Sequence, residues 1–350
     1  MDITTSLNLS SLYREIRHLR TESFKIASFD ARFRTFVDSI TMNKKPDGDL
    51  DFAYCEKSAI HPSLTQSYPK HDVTLPSFGY DKRKEFCMIA KTFETKESSL
   101  HYLISSGYKE ETLLFLHAEF TDSSIFISQF EAFADDYRIV AVDMPGHGKS
   151  HVKHNDIGLA DYPNQLIRLL ESEGIRRVHL IGVSLGAIMA QSLAQRYPKY
   201  IDSLTCIGTY SIHHGYPGDA RLWRLDAFRG WTLLFDFARF RERISDEAAI
   251  SPLGRKVFKE GTKSFKRSTF SWMQDLRPLF NGQKKISRLP LLILCGEEDF
   301  PAIRESSMRL CDISDRSTYG DIPQAGHVAN LDQPKIFNRM LRKFLDDFHR

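Results

Sequence analysis

Apolar and polar residues alternate in two different ways along this chain, and the switch between them divides it. From Phe86 onward short apolar runs bounded by polar turns predict strands at Cys87–Phe93, Leu100–Ile104 and Thr112–Leu116, with breaks at Lys96-Glu97-Ser98 and Gly107-Tyr108-Lys109. A helical segment around Phe126–Phe133 and a fourth strand, Tyr137–Val142, follow. Strand and helix then take turns: a helix at Asp161–Glu173, a strand at Val178–Ile181, a helix from Leu185, and a strand at Leu204–Ile207. Late in the chain Leu289–Cys295 and Ser317–Ile322 read as strands and Lys335–Phe348 as a closing helix. Antiparallel strands first and βα units afterwards predict an α/β fold with a doubly wound, mostly parallel sheet.

Two stretches break this rhythm. Residues 1–84 carry a loosely helix-spaced apolar set, including Leu12, Ile16, Phe24, Phe33 and Val37, interleaved with arginines, then a polar stretch punctuated by Pro46, Pro62, Pro69 and Pro76. They read as an N-terminal extension, a helical segment plus loop packed on the core, with a basic amphipathic helix lying on a membrane surface as the alternative. Between Ile212 and Lys285 the βα alternation lapses in favour of helix-spaced aromatic residues and all three tryptophans, Trp223, Trp231 and Trp272. The domain plan is therefore a core of residues 85–211 and 286–350, with a helical cap of residues 212–285 inserted before the last two strands. The insertion holds 15 basic against 8 acidic residues, so the rest of the molecule is net negative although the whole chain is at +3. Arg221, Arg224, Arg229, Arg239, Arg241 and Arg243 lie in it. Turned inward they would favour acidic substrates; the cost of burying charge favours heads in water.

Composition narrows the classes. Basic and acidic residues balance both in the first 84 residues, 13 to 11, and beyond them, so there is no footprint for nucleic acid. The five cysteines, Cys55, Cys87, Cys206, Cys295 and Cys311, are an odd number without C-x-x-C spacing, which predicts reduced thiols and no metal site. The first residues lack a continuous apolar run and no stretch approaches a membrane span, so a cytoplasmic protein without a transmembrane segment is expected.

The chemistry concentrates in Gly182-Val183-Ser184-Leu185-Gly186. Placed between a strand and a helix, G-x-S-x-G forms a nucleophile elbow, a tight turn that lifts the serine hydroxyl clear of the sheet. The two glycines are needed because strand and helix converge there. A serine hydroxyl is a weak nucleophile until a base takes its proton and a third group orients that base. Asp299 follows the strand ending at Cys295, in Gly296-Glu297-Glu298-Asp299, with Glu297 and Glu298 as competitors; His327 follows the strand ending at Ile322. Both positions lie beyond carboxyl ends of strands, where open α/β sheets place their sites. Gly148-Lys149-Ser150 imitates the end of a phosphate-binding loop, but Asp143 stands where that loop requires glycine.

These motifs, with Asp143-Met144-Pro145-Gly146-His147-Gly148-Lys149-Ser150 and Gly326-His327 followed by Asn330-Leu331-Asp332-Gln333-Pro334, resemble the α/β-hydrolase superfamily in its branch of capped esterases, lactonases and carbon–carbon-bond hydrolases. The resemblance covers about Phe86–Arg350. It implies a Ser184, Asp299, His327 triad, no cofactor, and a small-molecule ester or lactone as substrate. The same triad would also suit a carbon–carbon-bond hydrolase, or a slow or non-enzymatic small-molecule sensor. Relatives carry His-Gly after the third strand; here the chain reads Leu116-His117-Ala118-Glu119-Phe120. By position the N–H groups of Leu185 and Glu119 would form the oxyanion hole. Ala118 would restrict that loop, and a Glu119 carboxylate turned inward would oppose the developing negative charge.

Overall fold

The computed structural model describes residues 88–153, 158–214, 236–266, 269, 276–280 and 288–348. Strands β1 (Met88–Glu94) and β2 (Ser98–Ser105) form an antiparallel hairpin in register from Met88 opposite Ser105 to Glu94 opposite Ser99. The Thr95 hydroxyl closes the turn, accepting the Ser98 N–H at 2.8 Å and the Glu97 N–H at 3.1 Å. β2 also pairs antiparallel with β4 (Arg138–Val142) and with the two-residue β5 (His151–Val152). From there inward all pairings are parallel. β3 (Thr112–Leu116) lies between β4 and β6 (Val178–Val183), and β7 (Ile201–Ile207), β8 (Leu291–Gly296) and β9 (Ser317–Ile322) follow in turn. The spatial order is β1-β2-β4-β3-β6-β7-β8-β9.

This is the doubly wound, mostly parallel sheet that the sequence predicts, with one difference. The first three strands read as a consecutive antiparallel set, yet only β1 and β2 pair; β3 crosses over and becomes a central parallel strand. Its composition explains why. Thr112-Leu113-Leu114-Phe115-Leu116 is buried throughout, and such a strand needs neighbours on both edges and cover on both faces. Leu114 and Leu116 enter the core on one face, Leu113 and Phe115 the core on the other. Leu180 and Ile181 of β6 divide in the same way.

One face is covered by α2 (Tyr162–Ser172) and α3 (Leu185–Arg196), the other by α1 (Ile127–Phe133) and α8 (Pro334–Phe348). α3 is buried from Leu185 through Ala194, which its small residues permit. α8 turns Phe337, Leu341 and Leu345, one residue per turn, into the core and leaves a charged face outside. α6 (Pro301–Arg309) follows β8, and the short α7 (Ala329–Asp332) leads into α8. Among the described residues no helix is long and apolar enough to cross a membrane.

The described part of the stretch between Ile212 and Lys285 is helical, as its spacing predicts. α4 (Phe237–Ala248) is capped by Asp236, whose carboxylate accepts the Arg239 N–H. α5 (Pro252–Gly261) is capped by Ser251, which accepts the Gly254 N–H at 2.9 Å, with Pro252 in the first turn. α4 buries Phe240, Ile244 and Ala248. Phe240 meets Phe120, from the loop after β3, edge to face at 5.5 Å. The three tryptophans and the extension of residues 1–84 lie outside the described residues.

The turn after β4 is organised by a buried carboxylate rather than by a phosphate-binding backbone. Asp143 Oδ1 accepts the Ser123 N–H at 2.9 Å, and Oδ2 accepts the Lys149 N–H at 3.0 Å and meets His101 Nδ1 at 2.8 Å. Burial opposes the charge, but the His101 hydrogen bond and the buried imidazoles outweigh it and hold the carboxyl down at about 2. Gly148 (φ +53°) lies so close that a Cβ there would strike the Asp143 carboxylate, whereas Gly107 (φ +83°) has open space around it. Gly107→Ala is therefore expected to cost about 1 kcal/mol of backbone strain, and Gly148→Ala about 2 kcal/mol more from overpacking. Denaturant unfolding of the two variants checks this; equal losses would contradict the role given to Asp143.

Candidate active site

The elbow forms because two chain segments approach more closely than side chains allow. A Cβ on Gly182 would lie 2.6 Å from the Ala187 backbone, and one on Gly186 would run into the carbonyls of Leu116 and His117 at the end of β3. Between them Ser184 takes φ 53° and ψ −115°, a region that L-residues avoid at a cost of about 1–2 kcal/mol. Tertiary bonds hold it there. The Ser184 N–H donates to the Ile207 carbonyl at 2.8 Å, and its carbonyl accepts the Ala187 N–H at 3.0 Å and the Thr209 hydroxyl at 3.2 Å. Ser184 thus occupies the start of α3, whose first N–H groups have no partner within the helix and favour negative charge nearby.

His327 and Asp299 come to this point from the ends of β9 and β8. His327 Nε2 lies 2.7 Å from Ser184 Oγ, and Nδ1 lies 2.9 and 3.2 Å from the two Asp299 oxygens. With Nδ1–H donating to the carboxylate, Nε2 is left as the acceptor for the serine hydroxyl. The Asp299 side chain is wholly buried and its Oδ1 accepts the Phe300 N–H at 2.7 Å. Glu297 and Glu298 are exposed, so of the three acids only Asp299 meets the imidazole. Burial works against a charged His327, but the Asp299 charge and hydrogen bond prevail and raise its pKa above the ordinary histidine value.

The exit of β3 supplies the other wall. His117 is buried, donating from Nδ1 to the Ala118 carbonyl at 2.7 Å and accepting the Met144 N–H at Nε2 at 2.8 Å, so it ties the ends of β3 and β4 together. Ala118 does not carry the strain that its place opposite a family glycine suggests. Among the described non-glycine residues only Phe120 (φ 68°), Ser184 and Gln324 (φ 52°) have positive φ, so the left-handed turn falls two residues later. Edge-to-face contacts with Phe240 at 5.5 Å and Phe265 at 5.1 Å hold Phe120 in place. The Glu119 carboxyl also departs from the sequence picture. Its Oε1 is buried with no hydrogen-bond partner, and burial pushes its pKa well above the carboxylate range, favouring the uncharged acid over an opposing charge.

Two residues given no role by the sequence reading belong to this site. Gly208 (φ +51°) follows β7, and a Cβ there would lie 2.8 Å from Asp299 Oδ2 and 3.2 Å from His327 Nδ1. A glycine directly after an apolar strand was the available signal. Asp332 joins the His327 loop to the α4–α5 turn, accepting the Gly326 N–H at 2.8 Å, the Ser251 N–H at 2.8 Å and the Ile250 N–H at 3.1 Å. The Val328 N–H donates to the Ala248 carbonyl at 3.0 Å alongside. Of the arginines, Arg221, Arg224 and Arg229 lie outside the described residues. Arg239 is exposed, Arg243 pairs with Glu247 at 2.9 Å, and Arg241 donates to the Lys263 and Phe265 carbonyls over the Phe237 ring. Among the described residues no group of three or more His, Cys, Asp or Glu side chains is arranged to hold a metal ion.

Known proteins share this architecture. The sequence profile of the alpha/beta hydrolase fold matches residues 111–334. An uncharacterized carboxylesterase of Bacillus subtilis is 23% identical over 72% of this chain and 85% of its own length. A 3-oxoadipate enol-lactonase of Acinetobacter baylyi is 23% identical over 74% and 97%. The crystal structure of the enol-lactonase of Burkholderia xenovorans superposes with a TM-score of 0.60 at 20% identity, covering 73% of this chain and 100% of that one.

Removing the Asp332 carboxylate strands three backbone N–H groups at once. Asp332→Ala is expected to cost about 2–4 kcal/mol, the loss of several hydrogen bonds to a charged acceptor. Chemical unfolding measures it, and stability equal to the parent protein would show that the clamp carries no weight.

Proposed function

This chain belongs to the α/β-hydrolase family, and we propose that within it the chain is a serine hydrolase of small carboxylic esters or lactones, working through an acyl-enzyme. The observation that carries this reading is the unbroken hydrogen-bonded path from a serine hydroxyl on a strained turn, through an imidazole, to a buried carboxylate. As His327 Nε2 takes the hydroxyl proton, Ser184 Oγ bonds to the substrate carbonyl carbon and the π pair moves to oxygen. The N–H groups of Leu185 and Glu119 receive that oxyanion. Collapse expels the alkoxide, which leaves with the proton from His327. Water then repeats the sequence, with its proton going to His327, and frees the acid. Asp299 holds the imidazole in the needed tautomer and balances its transient charge.

Similarity to an uncharacterized carboxylesterase and to an enol-lactonase supports carbonyl–oxygen bond cleavage as the reaction class. In this proposal residues 85–211 and 286–350 form the catalytic core and residues 212–285 a helical cap. Phe237 of that segment and Phe120, both partly exposed and backed by the buried Phe240 and Phe265, would make the apolar side of the substrate cavity.

Ser184→Ala and His327→Ala should each lower turnover of a cleaved ester or lactone by about 10⁶ while leaving the fold intact, since such groups act as a unit. Near-parental turnover in either variant would refute the assignment. The base must be unprotonated to act, and its pKa is raised, so kcat/KM should fall with decreasing pH along a limb centred above about 6.5. A pH profile centred below that value would contradict the coupling between Asp299 and His327.

A further inference from the structure

The side chain of Glu119 has no part in the reaction just described, which uses only its backbone N–H. Its Oε1 is buried yet bonded to nothing in the protein. A buried acceptor or donor left unmet is costly, so such an atom in a site is a candidate ligand contact. Most polar side chains of the loops around the elbow are already engaged. His117 is fixed between the Ala118 carbonyl and the Met144 N–H, His327 between Ser184 and Asp299, and Asp143 among His101, Ser123 and Lys149. The Asp122 carboxylate accepts the Ser124 N–H at 3.0 Å and the Ser264 hydroxyl at 3.1 Å. His147, with Nδ1 3.2 Å from the Pro145 carbonyl, is buried and held uncharged, its pKa pushed down to about 3 by that burial; its Nε2 and the Thr121 hydroxyl are buried without a partner, as Glu119 Oε1 is. Burial is likewise the whole cause of the Glu119 shift, with no charge acting on it.

The sheet order indicates which part of a substrate Glu119 would meet. β3 delivers Glu119 on one side of β6 and its serine; β8 and β9 deliver Asp299 and His327 on the other. The leaving group must lie within reach of His327, so the acyl part extends toward β3. There the aromatic ring of Phe120 and the carboxyl of Glu119 are adjacent along the chain.

We propose that the Glu119 carboxylic acid donates a hydrogen bond to an acceptor oxygen on the carbon next to the scissile carbonyl, and so selects 2-oxygenated acyl groups over hydrocarbon ones. The proposal rests on the serine-hydrolase reading for the direction of the acyl group, and predicts a preference that the reading alone does not. A neutral acid in an apolar site is an established hydrogen-bond donor to substrate oxygen. A site built around such a donor rejects the ligand that leaves it unpaired.

The test compares ethyl 2-methoxypropanoate with ethyl 2-methylbutanoate, which differ by an ether oxygen in place of a methylene. The ratio of their kcat/KM values should favour the ether in the parent protein. It should drop about tenfold or more in Glu119→Met, which keeps the length and loses the donor, and be largely restored in Glu119→Gln, which keeps a donor that cannot ionise. Raising the pH should erode the ratio in the parent protein and leave it constant in Glu119→Gln. The same two esters are titrated calorimetrically against Ser184→Ala and Ser184→Ala/Glu119→Met, where no turnover is needed. Preference for the ether in the first and its loss in the second supports the contact even if neither ester is hydrolysed, an outcome that would sink the hydrolase reading alone. Equal binding of both esters by Ser184→Ala, or an unchanged preference in the Met variant, overturns the proposal.

Discussion

The backbone at Ser184 occupies a conformation that its own side chain disfavours, and the centre of the molecule is arranged to leave it no alternative. Gly182 and Gly186 remove the two Cβ atoms that would force strand and helix apart. β3 pairs in parallel with β6 and brings the carbonyls of Leu116 and His117 against Gly186, while β7 supplies the Ile207 carbonyl to the Ser184 N–H. Relaxing the turn would break a sheet contact on either side. Strain of about 1–2 kcal/mol is small against the burial of strands whose every residue is enclosed, which is why the sheet and not the turn decides the geometry.

The same logic extends to the neighbouring loops. Phe120, Ser184 and Gln324, the described non-glycine residues with positive φ, stand in the loops that leave β3, β6 and β9 at the carboxyl edge of the sheet. Strain gathered at one edge fits a set of side chains aimed by backbone turns rather than by flexible reach. Electrostatics follow from the same placement. Asp299 is buried with its oxygens directed to His327 and the Phe300 N–H, so the charge that raises the imidazole pKa is fixed in position before any ligand arrives.

Local pattern was enough for the strands, for the turn at Ser184 and for the loops that carry Asp299 and His327, because each of these rests on residues close together in sequence. Chain order left Glu297 and Glu298, two and one residues before Asp299, as competitors for the acid; only in the fold is Asp299 turned inward to the imidazole and the other two exposed. What the sequence left unread depends on partners far along the chain. The central place of β3 is decided by its pairing with β6, where Leu113 lies opposite His179; Asp332 is linked to Ile250 and Ser251 across 82 and 81 residues. Phe120 takes a turn that Ala118 was expected to strain over because Phe240 and Phe265 grip its ring, and no motif encodes that contact. The upward shift of the Glu119 carboxyl is a matter of burial, which a list of residue types does not contain.

The central claim is that one hydroxyl in this chain is activated by its surroundings. Treating the protein with a fluorophosphonate and mapping the adduct by peptide mass spectrometry tests it most directly. A single phosphonyl group on the peptide bearing Ser184, lost when Asp299 is replaced by Ala, is the predicted result. An unlabelled Ser184 in protein that hydrolyses esters, or a label carried on another residue, would contradict the account.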